Sequence, residues 1–240
     1  MADALTSAAG PLGRPPPLDA LLDGYVFGRL NPYLHALVEA HLILSPANRV
    51  KVRTLEEAAG EELEAMEPAP IQRPARDHVL AAIYAGGWYG RPQPDVRYDP
   101  DPPAPDVHAP DLPGPDLPEP VARLVNAPLE SIRWRFAAPG VREHKIFERD
   151  GLSASLLRAK PSRRMPRHTH SGQEATLVLK GGFSDHLGHY RRGDVALVDR
   201  SIDHRPVADP GEPCLCFVVT EGELKLTGPI GRLLQRAFGG

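Results

Sequence analysis

The chain has 240 residues, 41% of them hydrophobic, and its 28 Lys and Arg against 31 Asp and Glu give a formal net charge of -3. So mild a balance gives no case for nucleic-acid or membrane attraction through bulk electrostatics, and no apolar run approaches bilayer-spanning length. Its 2 cysteines, Cys214 and Cys216, occupy alternate positions of one short stretch, which argues against a disulfide scaffold.

Residues 1–17 are proline-rich and lack the basic region and apolar core of a signal peptide, so they read as a flexible N-terminus of a cytoplasmic protein. From Leu18 the pattern changes. Leu18, Leu21, Leu22 and Tyr25 fit a short amphipathic helix, and Asn31-Pro32 opens a second with a cap and a first-turn proline. Leu34, Leu37, Val38, His41 and Leu42 recur at helical intervals, Ser45-Pro46 breaks the run, and residues 50–66 form a third helix with a charged face. A short helix around His78–Ala85 follows, then the turn containing Trp88 and Tyr89. Residues 18–91 are therefore expected to be a small all-α domain. Its limited apolar stripes need a common core, a partner or a homo-oligomer to cover them.

Residues 92–120 hold eleven prolines, with seven acidic residues against one arginine. Such a stretch resists regular pairing and stays hydrated, as a semi-rigid linker does. Residues 121–240 then read as all-β. Ile132–Phe136, His144–Phe147, Ser153–Ala159, Leu177–Leu179, Val195–Val198 and Leu215–Val219 are successive strands between glycine and proline turns. The closing GPIGRLLQRAFGG is a short helix or strand on that domain.

Two histidines two apart share one face of a strand, so His168 and His170 can address one point, with Glu174 just beyond a turn at Ser171–Gln173. A barrel that brings His204 beside them assembles three imidazoles and one carboxylate, a sound donor set for one divalent metal ion. Zinc, iron, manganese and nickel all suit these donors. His186 and His189 are candidates for a surrounding shell or channel. Cys214 and Cys216 suit a small buried apolar role. Asp203 and His204 face opposite sides of an extended segment, which weakens any hydrolytic triad with Ser201. The arginine stretches lack the charge signature of autonomous DNA binding.

The spacing His168-x-His170-x3-Glu174-x6-Gly181, followed by Gly193 and His204, resembles the two cupin motifs, with Asp199 and Ser201 where the second motif usually has proline and glycine. That resemblance implies a C-terminal cupin barrel with His168, His170, Glu174 and His204 as metal ligands. HTHSGQEATLVLKGGFSD, GHYRRGDVAL and CLCFVV narrow it: the chain resembles the ChrR family of cupin-containing anti-sigma factors. The resemblance favours zinc in the cupin, an N-terminal helical domain that occludes an alternative sigma factor, and a small-molecule or oxidative signal. Residues 18–66 resemble that helical domain more faintly. Where the family carries HxxxCxxC, this chain has His41, Ser45 and Asn48; a serine hydroxyl and an asparagine amide are poor replacements for two thiolates, so that site is not carried over and His41 reads as a helix-face residue.

Three functions compete on these grounds. The first is an anti-sigma transcription regulator, non-enzymatic, whose metal-binding cupin senses a chemical signal. The second is a metal-dependent cupin enzyme such as an oxygenase. The third is a cupin that keeps its metal for interaction or storage.

Overall fold

The computed structural model describes residues 18–70, 73–85 and 117–228. The N-terminal stretch, Trp88-Tyr89, most of the proline-rich connector and the chain from Pro229 on lie outside the described residues.

Among the described residues five helices precede the strands: α1 Leu18–Val26, α2 Pro32–Leu44, α3 Pro46–Ala65, α4 Arg73–Ala85 and α5 Glu119–Val125. Asn31 caps α2 through its side-chain oxygen, which accepts from the backbone N–H groups of Tyr33 and Leu34 at 3.0 Å each. Pro32 supplies the first turn, where its missing N–H costs nothing. The chain leaves α2 at Ser45 and re-enters a helix at once. Pro46 therefore begins α3 rather than ending a segment, four residues before the expected start at Val50. Helix α5 is not evident from composition, because its first turn belongs to the proline-rich stretch. Pro118 and Pro120 suit that first turn, and Asn126 ends the helix in the left-handed region at φ 49°.

Eleven strands follow among the described residues: β1 Arg135–Ala138, β2 Val141–Arg149, β3 Leu152–Ala159, β4 His168–His170, β5 Glu174–Lys180, β6 Gly182–Ser184, β7 His189–Arg191, β8 Val195–Val198, β9 Val207–Ala208, β10 Cys214–Glu221 and β11 Leu224–Leu226. They form a six-stranded antiparallel sheet in the order β1-β2-β3-β10-β5-β8, a β11-β4 pair and a β7-β6-β9 sheet. This is a cupin-like β domain whose sheet is not closed into a true barrel. The chain enters the large ladder through Ser171–Gln173 and leaves it at Gly181, where φ is +65°, so β4 and β6 on either side of β5 pair with other strands.

Strands β5 and β10 lie inside the six-stranded sheet and are buried on both faces. On β10, Leu215, Phe217 and Val219 join one core cluster, while Cys214, Cys216 and Val218 join another. The first cluster contains Leu34, Leu37 and Val38 of α2, together with Leu21 and Leu22 of α1 and Val121 of α5. The outer face of the sheet is thus covered by helices, and a strand covered on both sides reads as an unbroken apolar run. Polar and aromatic contacts pin the same interface. Asn31 donates from Nδ2 to Glu221 Oε1 at 3.0 Å, and Tyr33 stacks on Phe147 with ring centroids 4.7 Å apart.

Among the described residues, those through Glu56 and those of 117–228 belong to one compact unit, and residues 57–85 belong to a second. In the second unit α4 buries no residue, and Val79, Leu80, Ile83 and Tyr84 are exposed. No helix among the described residues is long and apolar enough to cross a membrane.

Because helices and sheet share one core, a cavity cut in α2 is expected to be felt in the strands. Leu37 is fully buried in that shared core. Leu37→Ala should lower the unfolding free energy by about 2–5 kcal/mol and reduce amide-exchange protection along β10. Unchanged protection of β10 would mean that the helices and sheet unfold independently.

Candidate metal centre

Four side chains converge at the inner side of the sheet. His168 and His170 leave β4 on one face and are both buried, as the two-residue strand period requires. Glu174 opens β5 after a tight turn. Gly172 in that turn sits so close to the Glu221 carbonyl that any Cβ would collide with it. His204 arrives from the loop after β8 and pairs with β4 through its backbone. His204 N donates to His168 O at 3.0 Å, and His168 N returns a bond to His204 O at 3.1 Å. One donor atom from each of the four residues lies within 4.8 Å of every other.

The loop carrying His204 reaches this place without the proline and glycine of the usual motif. Asp199 Oδ1 accepts from the Ser201 backbone N–H at 2.8 Å and from its hydroxyl at 2.6 Å, and Ile202 N donates to Asp199 O at 3.0 Å. An aspartate folding its own backbone forward is an alternative way to make such a turn. Asp203 points elsewhere, accepting from Arg167 at 3.1 Å and from Thr227 at 2.7 Å, so it forms no triad with Ser201 and His204.

Hydrogen bonds around the cluster set the tautomers. His168 Nδ1–H donates to the Pro166 carbonyl at 2.8 Å, and His204 Nδ1–H donates to Asp185 Oδ2 at 3.0 Å. Each arrangement leaves Nε2 with a lone pair, and these two Nε2 atoms face each other at 3.0 Å. Two lone pairs at that distance repel unless a cation or a proton stands between them. His170 Nε2 lies 3.3 Å from Glu174 Oε2 but is not aligned for a hydrogen bond, and among the described residues neither ring nitrogen of His170 has a hydrogen-bond partner. Buried polar atoms left this way are costly without a ligand. Glu174 is steadied by the hydroxyl of Thr176, which donates to Oε1 at 3.2 Å, and that of Thr220, which donates to Oε2 at 3.4 Å.

Burial pushes His168 and His170 below the ordinary imidazole value, against the opposing pull of the Glu174 charge. Both rings are thereby kept neutral, the form that binds metals. Burial would raise Asp185, but its bonds with His204 and with the Leu187 and Gly188 amides hold its carboxyl below its usual value. The set of three imidazoles and one carboxylate, with two rings oriented by outer hydrogen bonds, fits a divalent transition metal. When bound, such an ion supplies charge neutralisation and a Lewis-acidic centre.

Sequence reasoning did not single out Asp185. It sits 19 positions before His204 in a loop, and no spacing rule links the two. His186 lines a separate outer groove with Arg167 and Arg205. His189 Nε2 bonds with Asp209 Oδ2 at 2.7 Å on a partly exposed surface. Neither histidine joins the four-residue cluster. Cys214 and Cys216 are buried side by side on the inner face, with sulfurs 3.5 Å apart. Contact with Cys214, and then burial, push the Cys216 thiol well above its ordinary value, so it stays protonated.

His41 lies on the buried face of α2. It is 2% exposed, and its Nδ1–H donates to the Gly193 carbonyl at 2.7 Å, across 152 positions of chain. Its Nε2 accepts from Asn48 Nδ2 at 2.9 Å, and Asn48 also lies 3.4 Å from Ser45 Oγ. Gly193 has φ +91°, and a Cβ there would stand 3.1 Å from the Leu44 carbonyl oxygen. Among the described residues, the positions that match the HxxxCxxC pattern therefore make a hydrogen-bonded chain. It ties the end of α2 to the turn between β7 and β8.

Comparison with known proteins adds to this geometry. Residues 124–223 match the family described as the ChrR cupin-like domain. Anti-sigma-E factor ChrR of Cereibacter sphaeroides is 30% identical over 220 residues, 92% of this chain and 95% of that protein. The chain belongs to the ChrR-like anti-sigma factor family. The crystal structure of Rhodobacter sphaeroides SigE in complex with the anti-sigma ChrR is similar over 85% of this chain and 96% of that one, at 30% identity and a TM-score of 0.64. Membership favours regulation over catalysis.

The joint at His41 has a direct test. His41→Ala strands the buried Gly193 carbonyl and should cost about 2–3 kcal/mol in urea unfolding. Burial holds His41 below its ordinary value, so the unfolded chain takes up the proton first. Stability from this group is present above about pH 6.5 and is lost as pH falls below it, levelling off once the folded protein is also protonated. An urea-unfolding series against pH should show that loss in the parent chain and less of it in His41→Ala.

Proposed function

We propose that this protein is an anti-sigma regulator that binds an alternative sigma factor through its N-terminal helical part and senses a chemical signal through a metal ion in its cupin domain. The observation that carries the reading is the extent of the likeness: it runs over nearly the whole of ChrR, and over nearly the whole of one chain in a solved sigma–anti-sigma complex. The division into a helical domain at 18–91, a linker at 92–120 and a cupin domain at 121–240 is part of this proposal, as is a cytoplasmic location.

Helix α4 offers a surface for such a partner. Val79, Leu80, Ile83 and Tyr84 recur at helical spacing and are exposed, an arrangement suited to burial against another protein. In the cupin, His168, His170, Glu174 and His204 would hold one ion, with zinc favoured by the family and by the closed nitrogen-rich donor set. Asp185 would act through His204 by fixing its ring. A signal that disturbs this cluster reaches β5 and β10, whose opposite faces carry α1 and α2. Regulation requires that the two states of the protein differ in affinity for the sigma factor.

Two measurements test these statements. Elemental analysis of purified protein should find about one metal per chain, with occupancy lost in His170→Ala and affinity reduced about 10–100-fold in Asp185→Asn. Metal content unchanged in His170→Ala would contradict the ligand assignment. Co-expression with sigma factors of the same genome should yield a stable 1:1 complex by size-exclusion chromatography. Ile83→Asp should weaken that complex about tenfold or more while leaving metal content intact. Absence of any complex from a folded chain would remove the regulatory reading.

A further inference from the structure

Beside the four-residue cluster, the inner face of the β domain lines a partly open cavity of about 90 Å3. Leu157, Phe183, Val198 and Val218 line it with hydrocarbon, and His168, Glu174 and His204 bound one side. A single fixed cation also lines it. Arg163 Nε is buried and donates to no acceptor, and no carboxylate pairs with this side chain among the described residues.

The position of Arg163 is held by its surroundings. Its backbone N–H donates to Lys160 O at 3.1 Å, and its carbonyl accepts from Ala208 N at 2.9 Å. Its stem lies across Gly140, where a Cβ would stand 2.8 Å from Arg163 Cδ and 2.9 Å from Nε. A glycine at that turn, with φ +77°, leaves the room that the side chain fills. A buried N–H needs an acceptor, and a guanidinium is shaped to receive two oxygens of one planar anion.

We propose that the cavity binds a short-chain monocarboxylate, whose carboxylate accepts from Arg163 and whose hydrocarbon body lies against Leu157, Phe183 and Val218. The space is small, which favours a ligand of roughly two to four carbons. Phosphate or sulfate matches the lining less well. Either would bring up to two negative charges against one guanidinium, near Glu174, with no hydrocarbon to meet the apolar wall. The inference names the chemical class of the signal, and it rests on the reading of the cupin as the sensing half.

The test is isothermal titration of the full-length protein, as purified, with sodium acetate, propionate and butyrate, with 1-propanol and hexanoate as comparisons. At least one of the three short acids should bind saturably, and 1-propanol and hexanoate should not. Arg163→Met should weaken binding about tenfold or more, and Arg163→Lys, which keeps the charge but loses the fork, should fall between. Circular dichroism and metal content show whether each variant is folded; if Arg163→Met is not, the Lys variant decides alone. Affinity unchanged in the folded variants, or no saturable binding of any short acid, overturns the inference. Elemental analysis of the same samples keeps the two readings apart. A parent chain that holds its metal but ignores all three acids refutes the ligand and leaves the metal centre standing, whereas a parent chain without metal refutes the metal centre whatever the acids do.

Discussion

Glu174, Ala175, Thr176 and Leu177 leave β5 on alternate sides, and nearly everything in the structure follows from what meets them there. Glu174 and Thr176 face the cavity and the histidine cluster, whereas Ala175 and Leu177 pack in the core shared with α1 and α2. Strand β10 repeats the arrangement, with Cys214, Cys216 and Val218 inward and Leu215, Phe217 and Val219 outward. A strand buried on both faces cannot rotate or slip by one residue without exchanging its polar and apolar sides. Its register is therefore strongly fixed, and a displacement on one face is transmitted to the other through a close-packed layer.

This gives a physical route between a chemical event and a protein partner. The four donors occupy one face of the layer, and the N-terminal helices occupy the other. Contact between the two is reinforced by the bond from Asn31 to Glu221 and by that from His41 to Gly193. The His41 joint deserves comparison with the metal site that the family pattern would place at the same positions. Thiolates would hold zinc there, but serine and asparagine instead extend a hydrogen-bond chain from the buried imidazole. A polar bridge of this kind needs no ion, but it does need His41 to remain neutral.

Much of the site was legible because strand periodicity is simple. His168 and His170 share a face by spacing alone, and Glu174 follows a turn whose glycine has no room for a side chain. The cupin strands were recognisable from short apolar runs between turn residues, although β1 begins three residues after the expected Ile132. Other features had no local signal. Asp185 reaches His204 only through tertiary folding, and α5 is hidden by prolines that suit a helix start as well as a linker. The helical cover over β5 and β10 was equally hidden, since an apolar run does not say what lies on either side of it. The polar role of His41 was missed because its partner is 152 residues away.

The account stands or falls on whether His168, His170, Glu174 and His204 share one ion. X-ray absorption at the edge of the metal in the purified protein examines that sphere directly. The account predicts a first shell of three nitrogens and one oxygen at about 2.0–2.2 Å, with the multiple-scattering pattern of imidazole. A shell containing sulfur at about 2.3 Å would place the ion at Cys214 and Cys216 instead and would contradict the account, as would a protein that holds no metal at all.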